Sequence, residues 1–253
     1  MKIYIYDISN WVRVQFENDK SGLGLRFLWN QVSNIPNDNL AIFVGDGYNC
    51  NARRRLIYPA YKMKRPKAAD FVYEGIGAFK ELLSFAKSNV GFVEVKGYEA
   101  DDVIADVASK FKEVTIMSTD KDLMAIPNSM NPMCNQKWEK KEFVWTRKVL
   151  CGDPSDNIGG VRGFGETTWL HLEEWQKIVL RYFLQNPCEE TLSDVEKINL
   201  PKRVFTALQN TSFDDIKSLG RVVGFFPVEE KYEISFGKNQ PTKAEELLKE
   251  WFS

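Results

Sequence analysis

Residues 91–120 read GFVEVKGYEADDVIADVASKFKEVTIMSTD. Gly91–Val95 is a run of strand length, Ala100–Phe111 repeats its apolar residues at helical spacing, and Val114–Met117 is a second strand. A strand, a crossing helix and a second strand make a βαβ unit, which sets the two strands parallel and buries them. Working outward, two more short apolar runs, Ile3–Tyr6 and Leu40–Val44, precede it, with a further helical stretch at Phe71–Ala86. The predicted class is α/β, a mostly parallel central sheet flanked by helices. Three of these strands are followed within three residues by an aspartate: Asp7, Asp46 and Asp120. In open α/β sheets ligands bind beyond the carboxyl ends of the strands, which is where this pattern collects acidic groups.

Composition narrows the chemistry. The 253 residues, 43% apolar and 27% charged, suffice for one substantial core with a smaller lobe. No stretch approaches the roughly 20 apolar residues of a membrane helix, and the N-terminus runs into an alternating strand pattern rather than a signal peptide. A cytoplasmic location without membrane contact is expected. Cys50, Cys134, Cys151 and Cys188 lack C-x-x-C spacing, so reduced thiols are expected, and with His171 the only histidine a zinc site has few ligands to draw on. That single histidine also leaves little room for an imidazole base. Acidic chemistry is favoured by elimination. The net charge of −1 excludes a uniformly basic nucleic-acid binder, but it permits a basic channel beside an acidic site.

The densest acidic signal is Gly97–Asp106, where Glu99 and Asp102 stand three apart at a helix start, with Asp101 between them. Acidic residues suit a first helical turn by complementing the macrodipole, so an isolated pair needs no further role. Asp120-Lys-Asp122 follows a strand, and Asp153-Pro-Ser-Asp156 stands at a turn; each pair alone reads as a cap or turn. Nine carboxylates converging on one edge demand more, because they stay ionised together only if cations or hydrogen bonds offset the repulsion. Oxygen ligands without histidine or cysteine select hard ions, Mg²⁺ or Mn²⁺. Convergence would imply a two-ion site with the ions about 3.5 to 4 Å apart.

In order and spacing, Asp7, Asp46-Gly47, the E-A-D-D run Glu99–Asp102, S-T-D-K-D-L at Ser118–Leu123, and G-D-P-S-D-N-I at Gly152–Ile158 leading into G-V-R-G-F-G at Gly160–Gly165 resemble the 5′ nuclease family of flap endonucleases and 5′-3′ exonucleases. That family includes bacteriophage exonucleases and the 5′ nuclease domain of bacterial DNA polymerase I. The resemblance covers about residues 1–185 and implies a PIN-like 5′ nuclease fold. It implies that Asp7, Asp46, Glu99, Asp101 and Asp102 form one part of the metal site, and that Asp120, Asp122, Asp153 and Asp156 serve mainly the second ion. Asn51–Lys67 holds Arg53, Arg54, Arg55, Lys62, Lys64, Arg65 and Lys67 without an acidic residue, interleaved with Tyr58 and Tyr61, as suits single-stranded nucleic acid. A solvated loop is the plainer reading of that stretch. In the family it is the helical arch, here about 48–70, and Tyr61-Lys62 with Arg65 matches its Y-K-x-x-R pattern. The implied roles are phosphate contact for Lys62 and Arg65 and base stacking for Tyr61, with Arg53, Arg54, Arg55 and Lys64 on DNA. The Gly160–Gly165 turn, with Arg162 and Gly163, resembles the helix-three-turn-helix element that grips duplex phosphates and holds K⁺. Gly159 stands where the family usually has proline, and Phe164 where it has isoleucine.

From Arg147 the strand-helix alternation stops, so the expected division is 1–146 as the nuclease core and 147–253 as a helical duplex-binding lobe. That lobe contains an amphipathic helix at Trp169–Leu184 and a tail helix opened by a Thr242…Glu245 capping box. The implied activity is metal-dependent hydrolysis at or near 5′ ends of DNA, flaps or junctions, extending to RNA primers in RNA-DNA hybrids and leaving 5′-phosphates. A stand-alone monomer from a phage or bacterial replication system, acting beside replication proteins, is expected. A PIN-like ribonuclease is the alternative enzyme, disfavoured by the Gly152–Gly165 stretch. A non-catalytic DNA-binding scaffold is the alternative from another class, disfavoured because it would gain nothing from keeping mutually repelling acids.

Overall fold

The structure, a computed structural model, describes residues 1–18, 23–135 and 137–252. β1 (Ile3–Asp7) runs into α1 (Ile8–Asn18), and α2 (Gly24–Ser33) leads to β2 (Leu40–Gly45). A short α3 (Ala52–Ile57) precedes α4 (Asp70–Phe85), which returns the chain to β3 (Val90–Glu94), α5 (Ala100–Ser109), β4 (Val114–Met117) and β5 (Ser129–Met130). Then come α6 (Val144–Cys151), the paired β6 (Gly152–Asp153) and β7 (Ile158–Gly159), and α7 (Glu166–Leu170), α8 (Glu174–Gln185), α9 (Glu189–Glu196), α10 (Lys202–Asn210) and α11 (Phe213–Val223). The chain closes with β8 (Ser235–Phe236) and α12 (Pro241–Trp251).

Two compact units result: Met1–Cys50 with Lys67–Gln136 and Pro227–Ser253, and Asn51–Pro66 with Lys137–Phe226. In the first, the sheet order is β5-β4-β1-β2-β3-β8. β1 pairs in parallel with β2 and β4, β2 with β3, and β4 with β5, while β8 joins β3 antiparallel. The strands are rich in Val, Ile and Phe because both faces are covered. Alternation sends Tyr6 and Phe43, stacked with centroids 4.4 Å apart, into a cluster with Trp11, Leu28, Phe79 and Leu82 from α1, α2 and α4. Ile5, Ile42 and Val44 point the other way and are fully buried. α5 packs on β1 and β2 and buries Val103, Ile104 and Val107.

The second unit is mainly helical. Its larger core gathers Phe143, Leu150, Phe164, Trp169, Leu180, Phe183, Val204 and Ile216. A smaller cluster holds Tyr61, Val149, Ile158, Leu219, Val222 and Val223. No helix among the described residues is long and apolar enough to cross a membrane.

Three expectations differ from this arrangement. The units do not follow a single cut at 146/147: α12 belongs to the first unit because Ala244 and Leu248 bury in the cluster with Phe79 and Leu82, and residues 51–66 belong to the second. The helix expected over Trp169–Leu184 is two helices, because Glu173 and Gln176 form a capping box that starts α8 afresh, Gln176 Oε1 accepting from Glu173 N–H at 2.7 Å. α12 opens on Pro241 in its first turn rather than on a Thr242 cap, and Glu245 pairs with Arg26 instead of reaching back to the cap.

Two glycines test the packing. A Cβ on Gly47 would fall 1.8 Å from the Val95 carbonyl oxygen, whereas one on Gly77, inside α4, would meet nothing within 4 Å. Gly47→Ala is expected to cost about 2 kcal/mol or more, and Gly77→Ala to stabilise by up to about 1 kcal/mol. Urea unfolding of the two variants measures both.

Candidate functional site

In the first unit the carboxyl edge of the sheet carries the acids. Parallel register puts Asp7, the last residue of β1, opposite Val44, so Asp46 lies two residues beyond that level. Asp7 is buried; its Oδ1 accepts from Asn10 N–H at 3.0 Å and its Oδ2 from Ser118 Oγ at 3.3 Å. Burial, together with the charges of Asp46 and Asp120, pushes its pKa up to about 7, against the lowering pull of the Asn10 and Ser118 bonds. Asp46 is exposed and accepts from Ser9 Oγ at 2.9 Å and from Ala100 N–H, in the first turn of α5, at 2.9 Å. Glu99 and Asp102 are both buried and form a reciprocal capping box at the start of α5, Asp102 Oδ2 accepting from Glu99 N–H at 3.3 Å. Asp101 is half-buried between them. Past β4, Asp120 Oδ1 accepts from Asp122 N–H at 2.9 Å, and the Cys134 thiol donates to the Asp120 carbonyl at 3.1 Å. The structure thus sets Asp46 and Asp120 close enough to Asp7 for their charges to act on it, and brings the helix start that carries Glu99 and Asp102 to Asp46 through Ala100.

That donor set is all oxygen, and burial first, with the Asp46 and Asp120 charges adding to it, pushes the Asp7 pKa up to about 7. A divalent cation would relieve the repulsion, so the residues present fit a hard metal.

In the second unit, Asp153 caps and Asp156 ends a 3-10 turn at Pro154–Asp156. Asp153 is buried, which by itself would raise its pKa; the Lys148 ammonium at 2.6 Å and the Ser155 donors outweigh burial and hold it below the usual carboxylate value. Asp156 Oδ2 accepts from the Tyr61 hydroxyl at 3.2 Å, and its Oδ1 lies 3.8 Å from Lys62 Nζ and 4.0 Å from an Arg65 nitrogen. Lys62 takes a left-handed φ of +52° and donates its N–H to the Asp156 carbonyl at 2.9 Å. Asn157, also left-handed, donates from Nδ2 to the Ala60 carbonyl at 2.8 Å.

Two residues expected on DNA are turned inward. Arg54 is 4% exposed: Nε donates to Val222 O at 3.1 Å and Nη2 to Gly224 O at 3.0 Å, and the guanidinium lies 4.8 Å from the Phe226 ring centroid. It caps the carboxyl end of α11, where a cation is favoured by the macrodipole. Tyr61 is 2% exposed, its ring inside the small apolar cluster, so no face is open to a base. Arg53 is half-buried, Arg55 donates from Nε to Tyr61 O at 3.1 Å, and Lys64 is exposed. In the glycine turn, Gly160 packs where a Cβ would fall 2.3 Å from Gly152 N and Leu150 O, and Gly163 needs its φ of +82°. Arg162 and Gly165 are exposed. Sequence reasoning missed Lys148, Ser9, Asn10 and Ser118. For Lys148 the available signal was its place five residues before Asp153.

Residues 23–150 match the family described as 5′-3′ exonuclease, N-terminal resolvase-like domain. The chain belongs to the 5′-3′ exonuclease family. It is 38% identical over 138 residues to a 5′-3′ exonuclease of Aquifex aeolicus, covering 47% of each chain. It is 36% identical over 156 residues to the thermostable DNA polymerase I of Thermus thermophilus, covering 53% of this chain and 18% of the polymerase. The chain therefore spans about half the length of the first relative and under a fifth of the second. Among solved structures, the T5 D15 protein co-crystallised with metal ions superposes with a TM-score of 0.62 at 17% identity, over 99% of this chain and 97% of that one. The catalytic core of Rad2 in complex with DNA substrate gives 0.61 at 14% identity, over 98% and 86%. At such identities the likeness is one of fold, and it is the fold of this 5′-3′ exonuclease family member over nearly its whole length.

Folding raises the Asp7 pKa, so the folded chain holds that proton more tightly than the unfolded one. The group penalises folding fully above pH 7, and the penalty fades as pH falls through 7 and is gone below about 4. In EDTA, Asp7→Asn is expected to stabilise by up to about 4 kcal/mol at pH 8 and to change little at pH 4, as read by urea unfolding at the two pH values. Arg54→Ala is expected to cost about 3 kcal/mol, as read by urea unfolding. An unaltered stability would overturn the inward role of Arg54.

Proposed function

We propose that this chain is a divalent-metal-dependent 5′ nuclease hydrolysing DNA phosphodiesters at or near 5′ ends. The observation that carries the reading is the acidic edge on which Asp7 is driven to about 7 by burial beside Asp46 and Asp120. A fold that tolerates such repulsion is explained by a function that needs cations there. Asp7, Asp46, Glu99, Asp101 and Asp102 would form one part of a site for Mg²⁺ or Mn²⁺, and Asp120, Asp122, Asp153 and Asp156 would serve mainly a second ion. When bound, divalent ions supply positive charge for the oxygens of the phosphodiester. Water adds to phosphorus and the bond to the 3′-oxygen breaks, leaving a 5′-phosphate on one product and a 3′-hydroxyl on the other.

Lys62 and Arg65 would contact the scissile phosphate, Arg53, Arg55 and Lys64 the backbone of the strand, and Gly160–Gly165 with Arg162 the phosphates of a duplex. A K⁺ ion held by main-chain carbonyls of that turn is part of the same reading, as are RNA primers in hybrids, replication proteins as partners and a monomeric state. The sheet unit would then act as nuclease core, and the helical unit of Asn51–Pro66 with Lys137–Phe226 as duplex grip.

The test is cleavage of a 5′-labelled flapped duplex and a blunt duplex in Mg²⁺, in Mn²⁺ and in EDTA, with an Asp153→Ala plus Asp156→Ala variant beside the parent. Metal-dependent cutting near the 5′ end or junction, lost in the variant, is expected. Lys62→Ala should lower turnover about 10²-fold and binding far less. Intact DNA in both metals with binding retained would move the reading to a scaffold.

A further inference from the structure

Gly45 ends β2, and the turn that follows Asp46 leaves one large ring in solvent. Gly47 N–H donates to the Tyr98 carbonyl at 3.0 Å, and the Tyr48 carbonyl accepts from Gly97 N–H at 2.9 Å. These two bonds fasten the turn to the segment that leads into α5. The close approach of Gly47 to Val95 O locks it further, and Asn49 turns the chain away with a left-handed φ of +57°. Tyr48 is therefore held on a fixed backbone yet is 79% exposed. The Lys96 ammonium lies 5.9 Å from its ring centroid, and the Asp46 carboxylate belongs to the same turn.

An aromatic ring on a rigid turn loses little freedom when a second flat ring lies on it, and every nucleobase has such a face. A neighbouring ammonium suits the phosphate that follows the base. Tyr61, the ring expected to do this, is buried. We propose that Tyr48 is a stacking platform for a nucleobase of single-stranded nucleic acid arriving at the acidic edge, with Lys96 on an adjoining phosphate. The assignment rests on the nuclease reading for the strand it receives, and its test separates the two.

Binding of a single-stranded oligonucleotide carrying 2-aminopurine at its 5′ end, followed in EDTA by quenching of that base, reads stacking without catalysis. The parent and Tyr48→Phe are expected to quench, whereas Tyr48→Ala should lose the quench and weaken binding about tenfold. In Mg²⁺, Tyr48→Ala should raise KM for a flapped substrate by a similar factor, with kcat and the melting temperature held. Lys96→Ala should reduce the salt dependence of binding while keeping the quench. Equal quenching and equal KM in parent and Tyr48→Ala would overturn the platform while a cutting parent leaves the nuclease standing. A parent that quenches but cuts nothing in Mg²⁺ or Mn²⁺ would overturn the nuclease and support the platform.

Discussion

Carboxylates crowded at the carboxyl edge of a parallel sheet repel one another, and the local structure of the first unit is arranged around that repulsion. Asp7 is buried beside two other aspartates, and burial first and their charges second raise its pKa. Two helix starts answer the charge: α1 offers the Asn10 N–H to Asp7, and α5 offers the Ala100 N–H to Asp46. Amides in a first helical turn have no intrahelical acceptor and sit at the positive end of the macrodipole, so they partly offset negative charge without adding a cation. Ser9 and Ser118 supply hydroxyl donors to the same two carboxylates. Burial and the charge left uncompensated appear together in the raised pKa of Asp7.

The second unit treats its acids differently. Asp153 and Asp156 meet full cations, Lys148 in one case and Lys62 with Arg65 in the other, and the Asp153 pKa falls instead of rising. A metal would find the first set already short of positive charge, whereas for Asp153 it would compete with an ammonium at 2.6 Å.

Much of this was legible in the sequence because it depends on local period and spacing. Short Val- and Ile-rich runs ending in an aspartate specify both a parallel sheet and the edge at which acids gather, and the strands at Val114–Met117 and Leu40–Gly45 fall within a residue of where the pattern sets them. The capping box of Glu99 and Asp102 shows that the structural reading of that pair and a functional one are compatible, since a carboxylate has two oxygens and a cap uses one. What was not legible depends on distant partners. A run of arginines with tyrosines between them reads as exposed, yet Arg54 is drawn inward by carbonyls at the end of α11, 168 and 170 residues away. Tyr61 follows because its ring completes the apolar cluster that α11 helps to build. The docking of α12 with the sheet unit, through Ala244 and Leu248, likewise leaves no mark in the helix's own sequence beyond an ordinary apolar stripe.

The basic segment is more closely tied to the Gly152–Ile158 motif than its composition suggests. The Tyr61 hydroxyl, the Lys62 ammonium and the Arg65 guanidinium all address the side chain of Asp156, and the Lys62 N–H takes its carbonyl. These ion pairs are long, and the Arg65 side chain is 46% exposed, so solvent weakens that pair most. The Tyr61 and main-chain bonds are the firmer links. A cation held by Asp156 would compete with the side chains of Lys62 and Arg65 for its carboxylate, whereas the Lys62 N–H bond to the Asp156 carbonyl makes no use of that carboxylate.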